Sequence, residues 1–154
     1  MKTIMAAVDF SRVTDAVIAE ATALARAVKS RVVLFSVVQR VVFVPPPNSG
    51  GYVPTTKTAE DITAAAEKTT ARRLASIGAR LQRARIASET IQLTGVPATE
   101  ILAQARKHAA DYIVMGLHGH TAVYELLVGS TTHGVLLGAR CPVVIVPAKK
   151  MRAR

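Results

Sequence analysis

Apolar and polar positions fall in blocks along this chain, and the spacing changes from block to block. Thr3 to Val8 is a short apolar run that stops at Asp9. A run of that kind predicts a strand buried on both faces. Ser11 follows, a residue type suited to capping a helix. Val17, Ile18, Ala21, Leu24, Ala25 and Val28 then recur at three- and four-residue steps and predict a helix with one apolar face. Arg31 to Val38 is rich in β-branched residues and predicts a second buried strand.

From Gln39 to about Thr58 the pattern dissolves. Pro45-Pro46-Pro47, Asn48, Gly50-Gly51 and Pro54 rule out helix and central strand, because proline fixes φ and has no N–H to donate. A connection this long inside a compact domain is either a disordered excursion, the favoured reading, or a lid or partner contact beside a ligand. Ala59 to about Arg85 predicts a long helix with Leu74, Ile77, Leu81 and Ile86 on its inner side. Arg72, Arg73, Arg80, Arg83 and Arg85 read as a solvated face of it. Ser88 to Thr94 predicts a third strand, and Pro97 opens a helix at a position where its missing N–H costs little. Ile101, Leu102, Ala105 and Ala109 give that helix a buried side, and His108 near its end reads as a surface or capping side chain. Tyr112-Ile113-Val114-Met115 and Val143-Val144-Ile145-Val146 predict the fourth and fifth strands. Strands that alternate with helices throughout imply a parallel sheet with helices on both faces.

The most informative stretch follows the fourth strand. Gly116-Leu117-His118-Gly119-His120 is separated by a short segment from Gly129-Ser130-Thr131, which heads another helical stretch. Glycine allows close approach of backbone to a ligand. A helix start offers unpaired N–H groups and a partial positive charge, which together attract phosphate. The expected roles follow. Backbone N–H groups at Gly116, Gly119 and Gly129 and the hydroxyls of Ser130 and Thr131 would hold phosphates. Asp9, an acceptor-only carboxylate when ionised, would take ribose hydroxyls or an adenine amine. Ala7, Val8 and Met115 would form apolar walls. His118 and His120, with His133, could hold a metal, but no cysteine or carboxylate motif supports them, and no metal site is expected. The pattern is neither a Walker A loop nor a G-x-G-x-x-G turn.

This glycine pattern, G-x2-G-x9-G-S after a strand ending in Met-Gly, resembles the ATP-binding motif of the universal stress protein family. Ala7-Val8-Asp9-Phe10-Ser11, Gly95-Val96-Pro97 with Ile101, and Cys141-Pro142 through Pro147 resemble further parts of that family in the same order. The resemblance covers nearly the whole chain. It implies a three-layer α/β sandwich, Rossmann-like, with a five-stranded parallel sheet of order 3-2-1-4-5. Ligands of such sheets bind at the carboxyl ends of the strands, where the strand order reverses, and that order puts Asp9 beside Gly116. It also implies that Val37 lines an adenine pocket through its backbone, and that a homodimer forms by antiparallel pairing of the last strand. His118 occupies a position that is commonly histidine in the family. His120 stands where relatives often carry Arg or Lys, and would give a pH-dependent phosphate contact.

Composition narrows the picture further. The 154 residues suit one domain, 1–147, with a basic tail at 148–154. Half are apolar, and a core is easily supplied. The sequence has no run long enough for a membrane-spanning helix. It shows no secretory signal and carries a single cysteine, and a cytoplasmic protein is expected. The net charge of +10 favours anionic partners, but aromatics are only 4%, which gives little support to single-strand nucleic-acid binding. The expected function is a homodimeric ATP-binding stress-response or signalling module, with Mg²⁺ accompanying ATP. No clear general base or phosphate-loop lysine argues for an enzyme, although slow ATP hydrolysis would be compatible. The alternatives are a basic protein that binds nucleic acid or an acidic partner, and a dimeric scaffold without nucleotide.

Overall fold

A computed structural model describes residues 1–42, 56–117 and 129–147. Five strands and four helices alternate: β1 Thr3–Ala7, α1 Thr14–Val28, β2 Arg31–Val38, α2 Thr56–Arg83, β3 Ser88–Thr94, α3 Pro97–Lys107, β4 Tyr112–Gly116, α4 Ser130–Gly138 and β5 Val143–Val146. The strands form one sheet of order β3-β2-β1-β4-β5. Every neighbouring pair is parallel. The fold is the one that the alternation of strands and helices implies.

The apolar runs become strands because both of their faces are covered. Ile4, Ala6, Val32, Leu34 and Val114 face α1 and α2, where Val17, Ile18, Ala21, Leu74, Ile77 and Leu81 meet them. Met5, Ala7, Phe35, Ile113 and Met115 face the other way, against Ile101 of α3 and Val135 of α4. Ile4, Met5, Leu34, Phe35 and Ile113 have no exposed surface. Each such side chain contributes about 1.5–3 kcal/mol by burial. An exposed ion pair such as Arg80–Asp15 contributes about 0–1 kcal/mol. The two apolar layers, not the surface charges, hold the fold.

Local chemistry fixes the helix ends. Helix α1 has Asp15 in its first turn and Arg26 in its last, which suits the helix dipole, and Lys29 closes it at φ 52°. Ser11 does not cap it, contrary to expectation. Val13 occupies the cap position with no side-chain hydrogen bond. The Ser11 contact is instead made by its backbone carbonyl, which accepts from Thr14 N at 3.0 Å. Pro97 opens α3, as expected, with Glu100 in the first turn and Arg106 and Lys107 in the last. Helix α2 runs three residues further back and two residues less far than the apolar periodicity predicts, because Thr56–Thr58 continue the helix and Arg85 adopts φ 59°. His108 follows α3 as its C-cap but is not a surface side chain: only 12% of it is exposed, with Nδ1 4.0 Å from Glu89 Oε2.

Two glycines set the distance between α3 and α4. A Cβ added at Gly134 would stand 2.9 Å from Ala98 Cβ, and one at Gly138 would stand 2.4 Å from Leu102 Cδ1. These glycines lie one turn apart on α4 and let it settle closely on α3, which in turn sets where its N-terminus points. The proline- and glycine-rich stretch 43–55 and the basic tail 148–154 lie outside the described residues. No helix among the described residues is long and apolar enough to cross a membrane.

Candidate functional site

The site forms at the carboxyl edge of the sheet, where β1 and β4 are neighbours although they are far apart in sequence. Their register pairs Ala6 with Val114 and Ala7 with Met115. On the other side β1 pairs with β2, with Ala7 opposite Phe35. The chain leaves β1 and β2 toward one face and β4 toward the other, and a crevice opens between the departing segments. It holds a cavity of about 460 Å³.

Nine of the twelve candidate site residues line this one cavity: Ala7, Val8, Asp9, Val37, Met115, Gly116, Gly129, Ser130 and Thr131. His118, Gly119 and His120 lie outside the described residues. Val8 N donates to Phe35 O at 2.9 Å and keeps β1 paired with β2 to the cavity wall. Just beyond, Asp9 Oδ1 accepts from Ser11 N at 3.0 Å, which folds the carboxylate back over its own turn. Asp9 is exposed toward solvent, whereas Ala7, Val8 and Met115 are buried apolar walls.

The glycines serve different ends. Neither Gly116 nor Gly129 has a positive φ. Conformational freedom is therefore not what makes them necessary. A Cβ at Gly116 would lie 2.4 Å from Val13 Cγ1, so this glycine lets β4 pass close under the start of α1. At Gly129 the protein leaves room: the nearest heavy atom to an added Cβ is Leu117 O at 4.0 Å. Gly129 is the N-cap of α4, with no side-chain cap bond and no acidic residue in the first turn. Ser130 and Thr131 head that helix. The helix start therefore presents backbone N–H groups and two hydroxyls without a carboxylate in its own first turn, which suits an anion.

Thr132, which no sequence motif marks, anchors this helix start. It is 3% exposed, and its Oγ1 lies 3.3 Å from both Gly116 O and Leu117 O. Leu117 N in turn donates to Val146 O at 3.0 Å. The end of β4, the start of α4 and the end of β5 are thus tied together around the crevice. The cavity also takes Phe10, Thr14, Thr70 and Gln39 into its lining. No sequence signal marks Thr70, whereas Gln39 opens the proline-rich segment that leaves β2 on the ligand side. Phe10 belongs to the strand-and-turn segment Ala7–Ser11, but its φ of 59° is unusual for a bulky residue and nothing in that segment's sequence foretells it.

Among the described residues no group of three or more His, Cys, Asp or Glu could hold a metal ion. His133 is exposed on α4, and the His118-x-His120 pair is not among the described residues.

The sequence model of the universal stress protein family matches residues 1–147. A universal stress protein of Methanocaldococcus jannaschii is 46% identical over 61 residues, which cover 40% of this chain and 36% of that protein. The matched stretch thus spans about a third of the relative's length. A second universal stress protein of that organism has a solved structure that superposes with a TM-score of 0.81 at 23% identity, covering 97% of each chain. A universal stress protein of Archaeoglobus fulgidus, solved in complex with dAMP, gives a TM-score of 0.62 at 21% identity over 94% of this chain and 96% of its own. Both superpositions are likenesses of fold. This chain belongs to the universal stress protein family.

Proposed function

We propose that this universal stress protein binds adenine nucleotide, with Mg·ATP as its ligand, in the crevice at the carboxyl ends of β1 and β4. One observation carries the reading. The carboxylate that ends the first strand and the anion-suited start of α4 line the same 460 Å³ cavity, although they lie at opposite ends of the sequence. Such a cavity is within the range of small-molecule sites, which are mostly apolar with a few convergent polar groups. The dAMP complex of the Archaeoglobus fulgidus relative supports an adenine nucleotide as the occupant.

In this reading the apolar residues at the ends of β1, β2 and β4 sandwich the base, Val37 meets it through backbone groups, and Asp9 accepts from ribose hydroxyls or the adenine amine. The phosphates lie at Gly129, Ser130 and Thr131. The open space at Gly129 fits this, since a phosphate can come close to the backbone there. Mg²⁺ would be held mainly by phosphate oxygens and water, with Asp9 the carboxylate in the described lining.

Phosphoryl transfer needs cationic groups around the phosphates and a residue that orients the attacking nucleophile. We read the protein as a cytoplasmic binding or signalling module rather than an enzyme, a reading with which slow ATP hydrolysis would be compatible. We also read it as a homodimer. Strand β5 is the edge of the sheet, and its four apolar residues are only half-buried. An apolar edge of that kind invites pairing with a second copy.

Isothermal titration with ATP, with and without Mg²⁺, tests the reading. Saturable binding by the wild-type protein, weakened at least tenfold in Gly129→Ala, is expected. A wild-type protein that takes up neither ATP nor AMP would overturn it.

A further inference from the structure

Two of the arginines that the sequence presents as a solvated face of α2 reach across to the segment after β1, Arg73 to the turn that carries Asp9 and Arg80 to the first turn of α1. The Arg73 guanidinium lies over the Phe10 ring, 5.5 Å from its centroid. Arg80 Nη1 lies 3.3 Å from Asp15 Oδ1 in the first turn of α1. Thr70, one turn before Arg73, lines the cavity, as do Asp9 and Phe10. Helix α2 therefore borders the site, with Arg73 on the β1–α1 turn and Arg80 beside the first turn of α1. Phe10 holds φ 59°, an unfavourable conformation for a bulky side chain, which persists only where the surroundings impose it. Strain of this kind beside a binding carboxylate is a common device for holding a group in place.

We propose that Arg73 is a positioning residue for the nucleotide site: its cation on the Phe10 ring holds the left-handed turn that fixes the Asp9 carboxylate against the cavity. This rests on the nucleotide reading above. The contact is not a ligand contact, since Arg73 does not line the cavity. It acts through the turn, which also carries the bond from Ser11 N to Asp9 Oδ1 at 3.0 Å. A cation–π contact at an exposed position is worth enough to change a coupled affinity about two- to five-fold. Lysine in place of arginine keeps the cation, whereas methionine keeps the length without it.

The test compares Arg73→Met with Arg73→Lys. ATP binding by titration is expected to weaken about two- to five-fold in Arg73→Met and to stay near wild type in Arg73→Lys. In an Asp9→Ala background the Arg73→Met change is expected to cost nothing further, an outcome a general loss of stability would not produce. The turn is also read without any ligand: exchange of the Ser11 amide by NMR is expected to quicken by a similar factor in Arg73→Met and not in Arg73→Lys. Unchanged affinity in Arg73→Met, an equal loss with and without Asp9, or unchanged Ser11 exchange each overturns the proposal. If the wild type binds no nucleotide, the site reading falls, and Ser11 exchange alone decides whether Arg73 holds the turn.

Discussion

Ala7 stands directly opposite Met115 in the parallel pairing of β1 with β4. From that pair each strand runs on into one half of the crevice: β1 into Val8 and Asp9, β4 into Gly116 and Leu117. The register decides which residues share the cavity. A slip of β1 by one position would turn Ala7 to the α1 face, away from Met115, and carry Asp9 away from the start of α4.

The two glycines of the crevice should respond to the same substitution for different reasons. Gly116→Ala drives a methyl to 2.4 Å from Val13 Cγ1, and Val13 is itself 3% exposed and branched at Cβ. Overpacking of this kind costs about 1–3 kcal/mol. Gly129→Ala meets no protein atom closer than 4.0 Å and should cost about 0.5–1 kcal/mol, because alanine caps a helix less well than glycine. Urea denaturation should separate the two. The binding loss in Gly129→Ala then reads the ligand and not the fold.

Much of the fold is legible in the order of residues alone. Parallel strands buried on both faces leave continuous apolar runs, and these mark β1, β2, β4 and β5 within a residue or so. The apolar face of α1 shows in its own spacing. What stays hidden are properties that arise only where distant segments touch. Thr132 looks like the residue after a motif, because its two carbonyl partners belong to the end of β4 and the residue beyond it. Gly134 and Gly138 look like poor helix residues until α3 is placed against them. Arg73 and Arg80 read as solvated because nothing in α2 reveals that the β1–α1 turn and the start of α1 lie beside them.

The proposed dimer can be tested at the backbone. Ile113 N donates to Pro142 O, and Leu117 N to Val146 O, so the carbonyls of 142 and 146 turn toward β4. By strand alternation the polar groups of Val143 and Ile145 turn outward, to the open edge. Val143→Pro removes an outward N–H and leaves an apolar side chain in place. Edge strands tolerate such a proline. Light scattering should show the wild type as a dimer and the variant as a monomer with unchanged circular dichroism. A variant that stays dimeric would place the interface elsewhere. Lysine at Ile145 is a poorer probe, because that side chain packs on the layer with Met5 and Phe35.

Cys141 offers a pH test. Burial, and then the negative charge of Asp111, push its thiol above the ordinary value. The folded state thus keeps the proton longer than the unfolded chain does. The contribution to stability is intact below the ordinary thiol pKa and declines as pH rises through and beyond it. The thiolate is the reactive form. The rate of alkylation by iodoacetamide should reach half its maximum at a higher pH than for a free cysteine peptide. Asp111→Asn, which can still accept from Thr3 N, should move that midpoint partway down. An unshifted midpoint would contradict the stated causes.

The central claim is that the crevice between β1 and β4 holds an adenine nucleotide. Its most direct test is mass spectrometry of small molecules released on denaturing the freshly purified protein, beside Gly129→Ala prepared in the same way. ATP or one of its breakdown products is expected from the wild type, and little or none from the folded Gly129→Ala variant. A wild-type protein that releases no adenine nucleotide, and that also fails to retain added Mg·ATP through gel filtration, would contradict it.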